Sequence, residues 1–256
     1  MSLRSWGLVV VVLVLGGCGG TSKAGGSPGK TSTAVSVSHA VRSCKPRLRR
    51  LGSSRVAYVA VVQRPLRAYR RPGQTPFARF GLKNVNGVEN VFGVLGVLVD
   101  RGCEPTWYHV QLPMRPNGVT GYVRAADLWV TRVRTRIEVD VSARRLTFFR
   151  SGRRVLTATV AVGSAGTPTP VGRFYVNQRL IPSNPAGPYG PGAIGISAFS
   201  NVLTGWAQGG PVAIHGTNEP WSIGHAVSNG CIRLPNPTLR RLFRATQAGT
   251  PVVVHP

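Results

Sequence analysis

The chain has 256 residues, of which 42% are hydrophobic and 15% charged, a composition that excludes wholesale disorder and fits one large domain or two small ones. Its 32 glycines and 20 prolines favour turn-rich β structure over a helical bundle. With 32 basic against 7 acidic residues the net charge is +25, which predicts attraction to polyanions. The basic residues are scattered and not gathered in a recognition helix or finger, which argues against nucleic acid as the partner.

The N-terminus predicts secretion. A short basic start precedes the apolar stretch Leu8–Leu15, which is too short to span a membrane comfortably, as in a signal peptide over residues 1–17. The run Leu15-Gly-Gly-Cys18 resembles the lipobox of bacterial lipoproteins. That resemblance implies acylation of Cys18 and an extracytoplasmic chain, anchored to the bacterial membrane and facing the wall; an ordinary signal peptide with an accidental cysteine is the alternative. The composition of residues 18–52 predicts a flexible linker.

The remaining cysteines differ in context. Cys44 and Cys103 flank the first folded segment, and outside the cytosol such a pair is expected to form a disulfide, with two unpaired thiols as the alternative. Cys231 is left without a partner, and a reactive thiol is the leading explanation for an odd cysteine in an oxidising compartment. Neither a CxxC pair nor a His/Cys cluster has zinc spacing, so we expect no metal site.

Residues 53–130 read as short strands separated by turns. Apolar runs cover 56–62 and 91–99, residues 107–112 alternate at period two, and Pro116-Asn-Gly118 supplies a tight turn. The pattern from Trp107-Tyr108 through Gly121-Tyr-Val123 to Ala126-Asp-Leu128 resembles bacterial SH3-like domains. We therefore expect a small SH3-like β barrel here.

The second folded segment covers residues 132–256 and is also mainly β. The period-two and apolar patterns predict strands over 137–141, 145–149, 155–162, 172–176, 212–214 and 252–254. Thr238 to Ala248 is the one credible helix, because Leu239, Leu242 and Phe243 fall on one face. The fold class expected for the chain is therefore mainly β, with one short helix in the second domain.

The most informative stretch runs from Ala213 to Leu234. A predicted strand delivers His215 to a glycine turn, and Cys231 follows Ser-Asn-Gly. Thiol attack on a carbonyl needs a base in reach, an acceptor that orients that base, and amide donors for the oxyanion. Glycine before the cysteine lets consecutive N–H groups converge, which favours Gly230 and Cys231 as the oxyanion donors. On spacing alone, a buried structural cysteine with a core histidine is equally compatible.

The run His-Gly-Thr-Asn followed by Ser-Asn-Gly-Cys-Ile-Arg-Leu resembles the catalytic signature of the L,D-transpeptidases, and residues 162–174 resemble the segment that precedes it in that family. The resemblance implies a β-sandwich-like catalytic domain. It also implies Cys231 as nucleophile, His215 as general base and the carbonyl of Gly216 as the group that orients the imidazole. His225 is a rival base. Many family members have histidine where Asn229 stands, so this asparagine is expected only to shape the turn.

Four residues are predicted to contact substrate. Arg233 is always charged and suits a substrate carboxylate, with a surface salt bridge as the alternative. Ser228, Asn229 and Thr217 flank the nucleophile and base. A cationic imidazole beside Cys231 would lower the pKa of the thiol, which predicts a reactive thiolate and a covalent adduct with carbapenems.

The resemblance implies peptidoglycan stem peptides as substrate. The thiol would attack the carbonyl before the terminal D-alanine, release that residue, and pass the acyl group to the side-chain amine of diaminopimelate on a neighbouring stem. No cofactor is expected, because one peptide bond replaces another. An L,D-carboxypeptidase that transfers the acyl group to water, and a wall-binding lipoprotein with an idle thiol, are the alternatives. No sequence motif indicates the oligomeric state.

Overall fold

The computed structural model describes residues 43–256, which belong to one compact unit that is mainly β. The predicted signal peptide, the lipidation site Cys18 and most of the predicted linker lie outside the described residues. Within 43–256, no helix combines the length and the apolar character needed to cross a membrane.

The first sheet is built from the N-terminal half of the described chain, and all of its strand pairings are antiparallel. Its strands are β1 (Leu48–Arg50), β2 (Ala57–Val62), β3 (Leu66–Tyr69), β4 (Pro76–Phe80), β5 (Val91–Val99), β6 (Pro105–Gln111), β7 (Thr120–Arg124) and β8 (Leu128–Val133). They lie in the order β4-β3-β7-β6-β5-β2-β8, with β1 added on β5. The resemblance of this region to SH3-like domains stays a prediction.

The second sheet is mixed and carries the residues of the predicted catalytic signature. Its strands are β9 (Thr135–Asp140), β10 (Arg145–Arg150), β11 (Arg153–Thr159), β13 (Gly172–Leu180), β14 (Ala193–Phe199), β15 (Pro211–His215), β17 (Ile232–Arg233) and β18 (Pro251–His255). They lie in the order β11-β10-β9-β18-β13-β14-β15-β17. A separate parallel pair joins β12 (Val162–Gly163) to β16 (Ala226–Ser228).

One α-helix, α1 (Asn236–Ala245), occurs within residues 43–256, together with 3₁₀ turns at Ala125–Asp127, Ala207–Gly209 and Pro220–Ser222. Helix α1 follows directly on β17. Its buried residues Leu239 and Leu242 pack into the apolar cluster beneath the second sheet, which also contains Ile214 and Ile232. This packing holds β15 and β17 against a fixed support.

The two sheets are joined by specific contacts. The side chain of Tyr175 on β13 is buried, and its hydroxyl donates to the carbonyl of Val91 at 3.1 Å. Gln111 donates to the carbonyl of Arg173 at 2.7 Å. Arg115 donates to the carbonyls at positions 200 and 209 at 2.6 and 2.5 Å. The first sheet is therefore attached to the same strand, β13, that forms the middle of the second.

The structure departs from the sequence expectations at four places. The strand predicted over 155–162 is divided, because β11 ends at Thr159 and Val162 belongs to the separate strand β12. The predicted linker ends too late, because β1 pairs with β5 and Cys44 is disulfide-bonded to Cys103, so the chain is ordered before residue 52. Strand β14 was not predicted, because its run Ala-Ile-Gly-Ile-Ser-Ala-Phe is buried along almost its whole length and shows no alternation. Helix α1 begins and ends two to three residues before the predicted span.

Candidate active site

Strand pairing brings Cys231 and His215 to one face of the second sheet. Strands β15 and β17 run parallel, with Ile214 opposite Ile232 and His215 opposite Arg233. Side chains alternate along a strand, so the two isoleucines enter the core while His215, Arg233 and the preceding Cys231 share the other face. With strands about 4.8 Å apart and about 3.3 Å of rise per residue, the Cα atoms of Cys231 and His215 lie about 8 Å apart. Side chains can meet across that distance.

The imidazole of His215 is held by the backbone. Its Nδ1 lies 2.5 Å from the carbonyl oxygen of Gly216, so this nitrogen carries the proton and donates it. The other nitrogen, Nε2, is then unprotonated and available as a base. The ring of Tyr189 packs edge-on against the imidazole, with 5.0 Å between ring centroids. The base therefore has a defined tautomer and a defined plane.

A tight turn precedes the cysteine. The Ser228 hydroxyl donates to the carbonyl of Cys231 at 2.5 Å and accepts from the Gly230 N–H at 3.2 Å. Gly230 has a φ of +103°, which favours glycine. Ser228 is buried and its hydroxyl is used inside the turn, so the structure gives it a positioning role and not the predicted contact with substrate. One predicted oxyanion donor, the Gly230 N–H, is likewise engaged in the free protein.

Burial sets the protonation states of the pair. Desolvation lowers the pKa of His215 to about 4, with the hydrogen bond to Gly216 acting in the opposite direction and the charge of Arg233 adding to the decrease. Desolvation also raises the pKa of Cys231, against smaller decreases from a hydrogen bond to the backbone of Ala213 and from Arg233. The expected low-pKa thiolate is therefore wrong for the free protein. At neutral pH the pair is a thiol beside a neutral imidazole.

Arg233 forms an ion pair. Its Nη1 lies 2.5 Å from a carboxylate oxygen of Glu219, which is the salt-bridge alternative noted from the sequence. The pair does not use the whole guanidinium, because the buried Nε has no hydrogen-bond partner within residues 43–256. Guanidinium presents several donors in a fork. Arg233 thus remains able to donate to a group placed beside the thiol.

The loop after β15 is clamped by Asn236, the first residue of α1. The amide of Asn236 accepts from the N–H of Thr217 at 2.8 Å and donates to the carbonyl of Thr217 at 3.0 Å. The hydroxyl of Thr217 accepts from the N–H of Glu219 at 2.9 Å. This clamp fixes the peptide next to Gly216, whose carbonyl orients His215. Thr217 is itself buried, so it supports the loop.

Sequence reasoning assigned no role to Asn236, Glu219 or Tyr189. An asparagine beside prolines at a helix start is ordinarily explained by capping, which hides its contact with a distant loop. The sequence did offer one signal that could have identified Glu219 as the partner of Arg233: it is the only acidic residue after Asp140.

The remaining predicted residues lie at the edge of this arrangement. The side chain of Asn229 is exposed at the turn. His225 is also exposed, and its carbonyl accepts from the N–H of Val162 at 3.1 Å. Among the described cysteines only Cys231 is unpaired. Residues 43–256 contain no group of three or more His, Cys, Asp or Glu side chains that could hold a metal ion.

Comparison with known proteins shows what the part of the chain that contains this site is similar to. Residues 134–254 match the family model YkuD, described as the L,D-transpeptidase catalytic domain. The chain is 39% identical over 119 residues to the putative L,D-transpeptidase YkuD of Bacillus subtilis, covering 46% of this chain and 65% of that protein. The YkuD protein of Bacillus licheniformis is 39% identical over 121 residues, covering 47% and 66%. The match thus spans somewhat less than two thirds of each relative.

Among solved structures, the catalytic domain of an Enterococcus faecium L,D-transpeptidase is 26% identical, covering 47% of this chain and 96% of that one, with a TM-score of 0.36. The family match begins next to β9 and ends in β18, so it coincides with the second sheet. It includes His215, Cys231 and Arg233. Residues 134–254 are therefore similar to the L,D-transpeptidase catalytic domain that the YkuD model describes.

Proposed function

We propose that the chain is a cysteine-dependent L,D-transpeptidase that cross-links peptidoglycan stem peptides. The observation that carries the proposal is the arrangement of Cys231 and His215 on one sheet face, with the Nδ1 proton of His215 donated to Gly216. The relatives named above are putative L,D-transpeptidases, and the match includes all three residues.

The reaction begins from the neutral pair. The Cys231 sulfur attacks the carbonyl carbon before the terminal D-alanine as Nε2 of His215 takes the thiol proton. The resulting imidazolium is stabilised by its hydrogen bond to the Gly216 carbonyl. The carbonyl oxygen becomes an oxyanion, to which the N–H groups of Cys231 and Gly230 can donate hydrogen bonds once the Gly230 N–H leaves the Ser228 hydroxyl.

Collapse of this intermediate breaks the peptide bond. His215 returns the proton to the departing amine, so D-alanine leaves and a thioester to Cys231 remains. An amine on a neighbouring stem, the side chain of diaminopimelate, then attacks the thioester while His215 takes its proton. The new amide forms and the thiol is regenerated. One peptide bond replaces another, so the reaction needs no ATP.

Arg233 supports binding of the donor stem. Its positive charge lies close enough to lower the pKa of both Cys231 and His215. The part-exposed guanidinium has N–H donors beyond the one that binds Glu219, and these can donate to the terminal carboxylate of the stem. Glu219 holds the other side of the guanidinium and so fixes its plane. The remaining predicted contacts, Thr217 and Asn229, border this position.

The proposal includes the location of the enzyme. The lipobox-like run ending at Cys18 supports acylation of that cysteine and attachment to the bacterial membrane, with the catalytic domain facing the wall. The net charge of +25 suits an anionic wall polymer. Metabolic labelling with a fatty acid probe, with Cys18→Ala as the control, tests the anchor.

Mass spectrometry of the full chain incubated with purified disaccharide tetrapeptide tests the activity. A cross-linked dimer with loss of D-alanine is the expected product, and it should be absent with Cys231→Ala. Tripeptide without dimer would identify the L,D-carboxypeptidase instead. An unchanged substrate, together with no adduct in the intact mass after long incubation with a carbapenem, would leave only wall binding and would refute the proposal.

A further inference from the structure

Folding gathers five arginines from three distant parts of the chain around the turn between β10 and β11. These exposed residues are Arg55, Arg134, Arg150, Arg153 and Arg154. The N–H of Ser151, which lies in the turn, donates to the carbonyl of Arg134 at 2.6 Å. A Cβ at Gly152 would lie only 2.9 Å from Cγ of Arg55, so the Arg55 side chain runs directly against the turn. We call these five residues the arginine cluster.

The arginine cluster has no acidic partner within the described part of the chain. Arg150 and Arg153 lie opposite each other where β10 pairs with β11, and like charges placed opposite each other destabilise a sheet. None of the five arginines forms an ion pair with a described residue. Both acidic residues of the neighbouring strand β9 bind other arginines, Arg136 and Arg145. The repulsion within the cluster is therefore left for an anion from outside the chain to neutralise.

Exposed basic residues link the arginine cluster to the place where the chain enters the first sheet. Strand β1 carries the exposed Arg49 and Arg50 and pairs with the end of β5, whereas β2 pairs with the preceding part of β5. The connection between β1 and β2 supplies one member of the cluster. Just before β1, Cys44 is bonded into the turn after β5, which contains the exposed acids Asp100 and Glu104. The segment that carries the predicted lipidation site therefore joins the described chain at the same end of the first sheet as these basic residues.

The arginine cluster and the active site lie at opposite ends of one strand. Arg153 is the first residue of β11, and just beyond the last residue of this strand Ala161 is bridged to Arg233. With a rise of about 3.3 Å per residue, the extended chain from Arg153 to Ala161 spans about 25 Å. A partner that binds at the arginine cluster therefore leaves Cys231 uncovered.

The kind of anion follows from the guanidinium groups. Arginine suits phosphate, because its planar fork donates two parallel hydrogen bonds to phosphate oxygens. Exposed arginines spread over one surface fit many phosphates displayed side by side, as on an anionic phospholipid membrane.

We propose that the arginine cluster and β1 bind the anionic phospholipid surface of the membrane to which the chain is attached. The choice of a membrane rests on the anchor at Cys18 in the proposed function, whereas the anionic partner follows from the unpaired charges. This contact orients the catalytic domain, because it holds one end of β11 at the lipid surface and leaves Cys231, about 25 Å away, open to the wall.

Co-sedimentation with lipid vesicles tests the proposal. The protein is the full chain with Cys18→Ala, so that no acyl group contributes. One set of vesicles is phosphatidylcholine alone, which reports any binding by the apolar N-terminus, and the other also contains phosphatidylglycerol. We expect the partition coefficient to be at least about tenfold higher for the anionic vesicles and to fall as salt is raised. Equal partition into both would overturn the proposal.

Matched triple variants locate the contact. One variant removes three charges from the arginine cluster: Arg134→Gln, Arg150→Gln and Arg153→Gln. The control removes three exposed charges from α1, on the side of the active site: Arg240→Gln, Arg241→Gln and Arg244→Gln. One basic residue near an anionic membrane strengthens binding about fivefold. The cluster variant should therefore lose at least about tenfold and the control less than about threefold. Equal losses would show that only the overall charge matters and would overturn the proposal.

A soluble poly(glycerol phosphate) chain represents the competing class of partner, an anionic wall polymer. Weaker binding of this polymer than of the anionic vesicles at equal phosphate concentration supports the membrane as partner. Binding of the polymer that is lost in the cluster variant, with no preference of the unsubstituted chain for anionic vesicles, would overturn the membrane assignment.

The outcome is separable from that of the proposed function, because vesicle binding needs no catalysis. The rate at which a chromogenic β-lactam acylates Cys231 in solution should be unchanged in the cluster variant, since its substitutions lie about 25 Å away. That rate also shows that the variant is folded. Acylation without a preference for anionic vesicles would count against the membrane contact alone. Preferential vesicle binding without acylation would count against the transpeptidase alone.

Discussion

The pH dependence of acylation gives the sharpest test of the active site. Burial lowers the pKa of His215 to about 4, and burial raises the pKa of Cys231. The reactive form is then a neutral imidazole beside a thiol. With that pKa, roughly one His215 in a thousand is protonated at pH 7. Protonation removes the base, so the reaction should fail only in acid.

We expect the acylation rate constant to be level from about pH 5 to neutral, half-maximal near pH 4, and to fall about tenfold per unit below that. An ordinary histidine would place the midpoint near 6.5. The assay is single-turnover acylation by a chromogenic β-lactam, recorded by stopped flow across this range. A midpoint between 6 and 7 would refute the assignment of a desolvated, neutral His215 as the base.

Two variants accompany the profile. His215→Ala should lower the neutral-pH rate by about 10²–10⁴ and leave a rate that rises with pH as the thiolate forms. His225→Ala is the matched control, because His225 is exposed, and it should stay within a few-fold of wild type with an unchanged midpoint. The reverse ordering would move the base to His225.

The same pKa predicts a change in stability. The unfolded chain binds a proton on His215 near pH 6.5, whereas the folded chain does so only near 4. The contribution to stability is therefore complete above pH 6.5 and is lost as pH falls through about 4. A difference of this size corresponds to about 3 kcal/mol in the free energy of unfolding. Urea denaturation at pH 7 and pH 4 should show this loss in wild type and not in His215→Ala.

Three further changes test the supports of the fold and the site. Replacing Cys44 and Cys103 by alanine should lower the free energy of unfolding by about 4 kcal/mol, because the disulfide closes a loop of 59 residues. Guanidinium denaturation measures this loss, and a loss below about 1 kcal/mol would contradict the prediction. Asn236→Ala removes two hydrogen bonds to the loop after β15, so it should lower the free energy of unfolding by about 2 kcal/mol and slow acylation. Acylation at the wild-type rate in folded protein would show that these hydrogen bonds do not position the base. Arg233→Lys should raise KM for the tetrapeptide about tenfold with little change in kcat, because lysine lacks the forked donors of the guanidinium. An unchanged KM would remove Arg233 from the substrate site. Glu219→Gln should change the free energy of unfolding by less than about 1 kcal/mol, since the carboxylate is 43% exposed.

Local patterns were enough to predict much of the β structure. Strands β5, β10 and β18 begin or end within one or two residues of their predicted limits, because period-two alternation and apolar runs are properties of neighbouring residues. The candidate nucleophile and base were named through the resemblance of the sequence around them to a family signature, because their spacing alone was equally compatible with a structural cysteine and a core histidine. Strand β14 was not predicted, because a strand that is buried on both faces shows no alternation of apolar and polar residues.

The chemistry of the site depended on residues that are distant in sequence. Pairing of β15 with β17 puts Cys231 on the face of His215, and helix α1 brings Asn236 to the loop beside it. Burial reversed the expected pKa of the thiol, because desolvation depends on everything packed around a group and not on its neighbours in the chain. The sequence alone therefore determined which groups can react. The tertiary structure decided their protonation, the partner of Arg233 and the grouping of arginines around the turn between β10 and β11, since each of these arises from contacts that only folding creates.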